Sequence, residues 1–557
     1  MGSESQKLHI FFFPYPAHGH MIPTIDMAKL FATRGVRATI LTTPLNLPIV
    51  SRTIGNPKTT PQNPDILIST LTIRFPCLEV GLPEGCENAE SIPSPSLILN
   101  FRRATRMLQQ PLEQLLLQHQ PHCLIADMFF PWATDSAAKF GIPRIVFHGT
   151  SSFAQCAIEC MRLYQPHKEV SSDSEPFVIP NLPGEIKMTK MLLPKFMRSN
   201  DDDDDDDTNE VMRLFKAIRE SELRSFGVVV NSFYGLDGVY ADHNRKVFRR
   251  KTWQIGPVSL SHRDMKEKAN RGKEASFNEQ ECLKWLDSKE PNSTLYICFG
   301  SVANFNDSQL REIALALEAS GHNFIWVVRK SRKEEEEEDQ WLPEGFEKRM
   351  EGKGLIIRGW APQVLILEHV AVGGFVTHCG WNSTLEGVCA GVPMVTWPVA
   401  AEQFYNEKFV TEVVRIGVPV GVKKFAEMVG DSVEKEDIEN AIRRVMEGEE
   451  AEEMRNRAKK YINMAKQAVE ERGSSYLELN ALIQELEIQA ACDHNHMDLA
   501  ELFASHGRYE PSEVRYASKA KVKHGIGFLG VKPLEALMFI NGSLFSSACF
   551  FFDVSVA

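Results

Sequence analysis

The stretch from Trp360 to Gln403 gathers side chains whose chemistries complement one another. The apolar run before His378 reads as a strand ending near Thr377. His378–Gly380 reads as a tight turn, and Trp381 or Asn382 as the start of a helix. A helix start presents unpaired backbone N–H groups, and the Asn382 amide and Ser383 hydroxyl stand with them, so the turn reads as a diphosphate site that needs no metal. Glu386, one turn further, is placed to accept from the diol of a ribose. Trp360 ends another strand and offers a flat face for a base, while Glu402 and Gln403 open the next helix with groups suited to sugar hydroxyls. Singly, each has an ordinary structural reading as a core Trp, a helix cap or a first-turn carboxylate. Their combination within 44 residues carries the inference.

The N-terminal half supplies a base. His18 follows the first apolar run, Leu8–Pro14, and is expected to point into a cleft, where a neutral imidazole can take a proton. Asp127 closes another strand at the same sheet edge, and its carboxylate is expected on the far ring nitrogen of His18, fixing the tautomer. His20, two residues on, is expected to be structural or only a weak ligand contact.

Alternating elements must hold these groups in place. Strand-like Leu8–Pro14, Val36–Thr42, Pro121–Asp127, Pro143–His148 and Gly227–Ser232 alternate with helical stretches at Met21–Thr33 and Trp132–Phe140. The pattern restarts with strands at Leu295–Phe299, Asn323–Val328, Leu355–Arg358, Gly374–Val376 and Met394–Thr396. Helices are expected between and after them at about 308–319, 381–390, 402–415 and 435–448. This is α/β organisation: two tandem Rossmann-like domains facing a cleft, with ligands at the C-terminal strand ends. The expected divisions are 1–257, a polar linker 258–277, a second domain 278–488 and an atypical tail 489–557.

Composition narrows the classes. With 43% hydrophobic and 24% charged residues over 557 positions, the chain is globular rather than disordered, collagen-like or coiled-coil. Thirteen acids sit in the runs Asp201–Asp207 and Glu334–Asp339, and without them the net charge of −12 becomes +1. The body is therefore near neutral, and no nucleic-acid partner is expected. The acidic runs read as solvated loops, since poly-Asp lacks the fixed geometry of a metal site. The 11 cysteines contain no CxxC pair, which suits a reducing compartment and a cytoplasmic location. No secretory signal is read, because Pro14 and Pro16 break the first apolar run. Ala536–Phe552 is uncharged but only 17 residues long, so no integral membrane insertion is expected. The pair His494 and His496 in the tail reads as a chance occurrence rather than a metal site.

Trp360–Gln403 resembles, over its full 44 residues, the signature of plant secondary-product UDP-glycosyltransferases. The wider resemblance spans about residues 7 to 488 and includes Cys298-Phe299-Gly300-Ser301 and Gln254-Ile255-Gly256-Pro257. The segment His18–Pro23 is similar to the branch acting on flavonoids and other phenolics, triterpenoids or steroids, and hormones. The resemblance implies the GT-B fold, with acceptor bound by the N-terminal domain and UDP-sugar by the C-terminal one. It implies that Trp360 stacks on uracil, Ala361 contacts it through backbone, Gln363 lies near the nucleoside and Glu386 holds the ribose. His378, Asn382, Ser383 and Ser301 would hold the diphosphate; Trp381, Glu402 and Gln403 would line the sugar; and Thr150 would reach sugar or phosphate. It assigns His18 and Asp127 the catalytic dyad.

In that family a terminal Gln, here Gln403, tends to accompany glucose. The expected reaction is therefore inverting, metal-independent transfer from UDP-glucose to a hydroxyl of a small lipophilic metabolite. The UDP-sugar is a co-substrate, no cofactor is expected, and a monomer is favoured. UDP-glucuronate, UDP-galactose or a pentose donor are the alternatives, as is a non-catalytic UDP-sugar-binding protein. An epimerase or phosphorylase on the same fold fits the signature less well.

Overall fold

A first parallel sheet is built from β1 (His9–Phe13), β2 (Arg37–Thr42), β3 (Ile68–Thr72), β4 (Cys123–Asp127) and β5 (Arg144–His148). A short antiparallel ribbon follows, β6 (Phe177–Val178) with β7 (Lys187–Met188), before β8 (Gly227–Val230) and β9 (Thr252–Gln254) rejoin the sheet. The strand order is β3-β2-β1-β4-β5-β8-β9. A second parallel sheet comprises β10 (Thr294–Cys298), β11 (Asn323–Val328), β12 (Gly354–Arg358), β13 (Val372–Thr377), β14 (Met394–Thr396) and β15 (Gly417–Pro419), ordered β12-β11-β10-β13-β14-β15. The computed structural model describes residues 7–55, 68–198, 206–261, 265–301, 303, 305–328, 341–426 and 429–493.

Strands of such sheets are covered on both faces, so they read as continuous apolar runs. β1, HIFFF, is buried at every position, as are β4, β5 and β13. Both sheets change direction at one internal point: between β1 and β4 in the first, and between β10 and β13 in the second. Loops leaving neighbouring strands diverge there, and the gap between them is where ligands bind in open α/β sheets.

The chain divides into two compact units, Met1–Asn480 and Ala481–Ala557, and both sheets belong to the first. The second is described only as far as Asp493, the end of a helix running from Ser474. The expectations for Asp201–Asp205, for Glu334–Asp339 and for His494 and His496 fall outside the described residues. No described helix is long and apolar enough to cross a membrane.

The expected strands all form within a residue or two of their bounds. Three further strands, β3, β9 and β15, lie at sheet edges. The departure that matters for the site concerns helix α1, which runs from His18 to Ala32 with Ala17 as its extended N-cap, three residues before the expected start.

Candidate functional site

Every expected site residue follows the C-terminal end of a parallel strand. In the first sheet, α1 follows β1, Asp127 ends β4, and Thr150 follows β5. In the second, Ser301 follows β10, Trp360 follows β12, His378 follows β13, and Glu402 follows β14. The histidines of α1 and Asp127 flank one direction change; Ser301 and His378 flank the other.

The structure corrects the expected dyad. Asp127 Oδ2 pairs with Nδ1 of His20, at 2.7 Å, and not with His18. His18 instead pairs its Nδ1 with Glu90, whose other oxygen accepts from the His18 backbone N–H at 3.1 Å. The reason is the early start of α1. Residues two apart on a helix project about 200° from each other, so His18 and His20 cannot serve the same side. His18 turns toward Trp360, its ring 5.4 Å from the indole, and is 2% exposed; His20 is 23% exposed.

Asp127 is itself held. Its Oδ1 accepts from the Phe129 N–H at 2.9 Å, and its backbone carbonyl accepts from the buried Arg144 at 2.7 Å. Burial opposes charge on the His20 ring, but Asp127, through its charge and its hydrogen bond, and then Glu402 raise its pKa above the ordinary value. Glu402 belongs to the second sheet's side of the cleft, so this charge effect crosses between the sheets. Nε2 of His20 accepts no hydrogen bond from any described residue. Tyr15 and Phe129 flank the ring at 5.7 and 5.5 Å, forming an aromatic wall that the sequence reading did not single out.

On the second sheet, the turn after β13 leads into helix α2 (Trp381–Ala390), whose first N–H groups have no intrahelical partner. The His378 ring fits beside it because its neighbours are glycines. A Cβ on Gly300, at φ +71°, would come 2.6 Å from His378 Cε1, and one on Gly380 would collide with the same ring. Burial pushes His378 down to about 4, leaving a neutral imidazole near neutral pH. Its Nδ1 and the Thr150 hydroxyl are buried and have no hydrogen-bond partner among the described residues. Buried polar atoms are rarely left so, and both are suited to an anionic ligand.

Other expected residues are already engaged. Asn382 Nδ2 donates to the Gly19 carbonyl at 2.5 Å, between the two histidines of α1. Trp381 is 2% exposed and its indole N–H donates to the Asn231 carbonyl at 2.7 Å, so its side chain packs across the two sheets. Its backbone N–H instead reaches the Glu402 carboxylate, whose pKa burial raises. Gln403, the first residue of the helix Gln403–Lys408, accepts from the N–H groups of Val399 and Ala400 at 2.8 and 2.9 Å, which leaves its amide N–H₂ as a donor. Gln363 donates to Ser383 at 3.1 Å and to Glu386 at 2.7 Å. Ala361 is buried beside Trp360. Ser301 lies in the turn after β10, half-buried. Among the described residues no group of three or more His, Cys, Asp or Glu side chains is placed to hold a metal ion.

Comparison with known proteins finds relatives along most of the chain. The family model described as UDP-glucoronosyl and UDP-glucosyl transferase matches residues 212–458. Scopoletin glucosyltransferase of Nicotiana tabacum is 55% identical over 488 residues, covering 88% of this chain and 100% of that protein. UDP-glucose flavonoid 3-O-glucosyltransferase 7 of Fragaria ananassa is 56% identical, covering 86% and 96%. Among solved structures, Glycyrrhiza uralensis UGT73P12 complexed with glycyrrhetinic acid 3-O-monoglucuronide superposes with a TM-score of 0.81 at 40% identity, covering 90% of this chain and 100% of that one.

Proposed function

This chain belongs to the plant UDP-glycosyltransferase family, and we propose that it transfers glucose from UDP-glucose to a hydroxyl of a small lipophilic plant metabolite, with inversion. The observation that carries the mechanism is the His20–Asp127 pair, held by a 2.7 Å hydrogen bond on Nδ1, with the His20 side chain partly exposed and raised in pKa by Asp127 and then by Glu402 of the second sheet's side.

The proton of the acceptor hydroxyl passes to His20 Nε2. Asp127 holds the proton on Nδ1 and stabilises the imidazolium that forms. The acceptor oxygen forms its bond to the anomeric carbon from the face opposite UDP while the bond from that carbon to the diphosphate oxygen breaks. An α-linked donor thereby gives a β-glucoside.

Charge developing on the departing diphosphate meets the N–H groups at the start of α2, with Asn382, Ser383, the neutral His378, Ser301 and Thr150 beside them. With these donors the step requires no metal and no cofactor. Trp360 and Ala361 take the uracil, Gln363 and Glu386 the ribose, and the Trp381 backbone, Glu402 and Gln403 the sugar. Residues 1–257 are assigned to the acceptor and 278–488 to the donor.

The aromatic wall of Tyr15 and Phe129 beside His20 favours a planar, phenolic acceptor. The Nicotiana and Fragaria relatives, named for scopoletin and for flavonoid 3-O-transfer, support the same class. One chain supplies every named group, so a monomer suffices. The nine cysteines from Cys77 to Cys389 are free thiols, which fits the cytoplasm.

Incubating the purified chain with UDP-glucose and a panel of flavonoids, coumarins, triterpenoids and hormones tests the reading. A mass gain of one hexose, with release of UDP, is expected on phenolic members. No product from any acceptor despite tight UDP-glucose binding would overturn it in favour of a binding protein.

A further inference from the structure

The segment that joins the two sheets contributes a buried cation to the nucleoside side of the cleft. Arg271 lies between β9 and β10 and is 8% exposed. Its Nε donates to Asp26 Oδ2 at 2.7 Å, and its Nη1 to Glu386 Oε1. Asp26 belongs to α1 and Glu386 to α2, so one guanidinium spans both sides. The neighbouring residues fix the segment. The Gly272 N–H donates to Thr53 at 3.0 Å, and Ser276 and Trp360 exchange two hydrogen bonds of 2.8 Å. Gly272, at φ +96°, lies so close to Trp360 and Ile22 that a Cβ would strike the indole.

Glu386 is the residue assigned to the ribose. An ionised carboxylate has about four acceptor sites, roughly two on each oxygen. Arg271 occupies one on Oε1 and Gln363 one on Oε2, which leaves one on each oxygen for the two hydroxyls of a ribose. We propose that Arg271 is a positioning residue for the donor nucleotide: it aims the Glu386 carboxylate at the ribose diol and, through Asp26, ties the occupied nucleotide site to the helix that carries His20. The inference rests on the reading of the cleft as a UDP-sugar site. Asp26 lies less than two turns beyond His20 on α1, so the path from ribose to base runs through two ion pairs and one helix.

Arg271→Gln and Arg271→Lys in the full chain test this with UDP and with 2′,3′-dideoxy-UDP, both titrated calorimetrically, alongside kcat and KM for UDP-glucose. For Arg271→Gln, UDP binding is expected to weaken about tenfold, the loss of one charge-assisted hydrogen-bond arrangement. The dideoxy nucleotide, which lacks the diol, is expected to lose less than about twofold. KM for UDP-glucose should rise with the UDP dissociation constant, and Arg271→Lys should recover part of the loss. Equal weakening for both nucleotides would make Arg271 merely structural, and tighter UDP binding would make it a competitor of the ribose; either overturns the proposal. If Arg271→Gln does not fold, the same ratio read on Arg271→Lys decides. A wild-type chain that binds no UDP overturns the donor-site reading itself, whereas normal wild-type binding with an unchanged nucleotide ratio overturns only the role of Arg271.

Discussion

Two histidine–carboxylate pairs stand two residues apart on the first turn of α1, and they have different surroundings. His18 with Glu90 is closed off: the side chains are 2% and 4% exposed, Lys273 of the joining segment reaches Glu90 at 3.5 Å, and Trp360 covers the ring. His20 with Asp127 is buried on the carboxylate side and open on the imidazole side. Both pairs fix a ring orientation, but only His20 keeps part of its side chain exposed, which is why the proposed base is His20 and not His18. A base is thus defined by what its far nitrogen can reach rather than by having a carboxylate partner.

The contrast can be broken most directly at His20. His20→Ala is expected to lower kcat by about 10²–10⁴ while leaving UDP affinity unchanged, read by product formation and calorimetry. Retained turnover would return the role to His18. Asp127→Asn should cost about 10²-fold, because the ring loses both its tautomer and the charge that stabilises the imidazolium.

The same substitution has a pH signature. As the proposed base His20 would work unprotonated, and its pKa is raised in the folded chain, so the acid limb of kcat/KM should lie above the ordinary histidine value. Removing the Asp127 charge should move that limb to lower pH. The raised pKa also contributes stability that is fully present below the unfolded value of about 6.5 and is lost as pH rises through the folded value. The difference in stability between wild type and Asp127→Asn, measured by urea unfolding, should therefore shrink toward alkaline pH.

A smaller effect sharpens the open side. Phe129→Ala is expected to raise KM for a phenolic acceptor roughly threefold to tenfold with little change for UDP-glucose, since an aromatic contact contributes about 0.5–1.5 kcal/mol. The smallest effect on turnover belongs to the closed pair. Glu90→Gln should leave kcat within about threefold yet lower stability by about 3 kcal/mol, the cost of breaking a buried pair by removing one partner. A large kcat loss with unchanged stability would show that the closed pair takes part in the chemistry.

Much of this was legible because the strands of a doubly covered sheet are continuous apolar runs. Leu8–Pro14, Pro143–His148 and Asn323–Val328 could be read that way, and with them the sheet ends where ligands bind. The edge strands β3, β9 and β15 were not, because they are short or carry polar residues that a loop would also carry. The signature named Glu386, Gln403 and Trp360 through their spacing. It did not contain Glu90, Arg271, Tyr15 or Phe129, which reach the site from separate loops and bear no local pattern. The exchange of His18 for His20 had a local cause. A start of α1 at Met21 leaves both histidines in a loop, where either could face Asp127, whereas a start at His18 fixes them on opposite sides.

The sequence by itself determined the alternating α/β organisation, the turn that leads from β13 into α2 and the family to which the chain belongs, because these depend on short-range periodicity and on groups contiguous in the chain. Only the tertiary structure decided which histidine meets Asp127, that the Trp381 indole N–H and one N–H of the Asn382 amide are spent across the sheets, and that Arg271 joins Asp26 to Glu386. Those outcomes are set by the helical phase of α1 and by partners between 107 and 363 residues apart in the chain. Such pairings follow from packing in three dimensions, and no pattern along the chain encodes them.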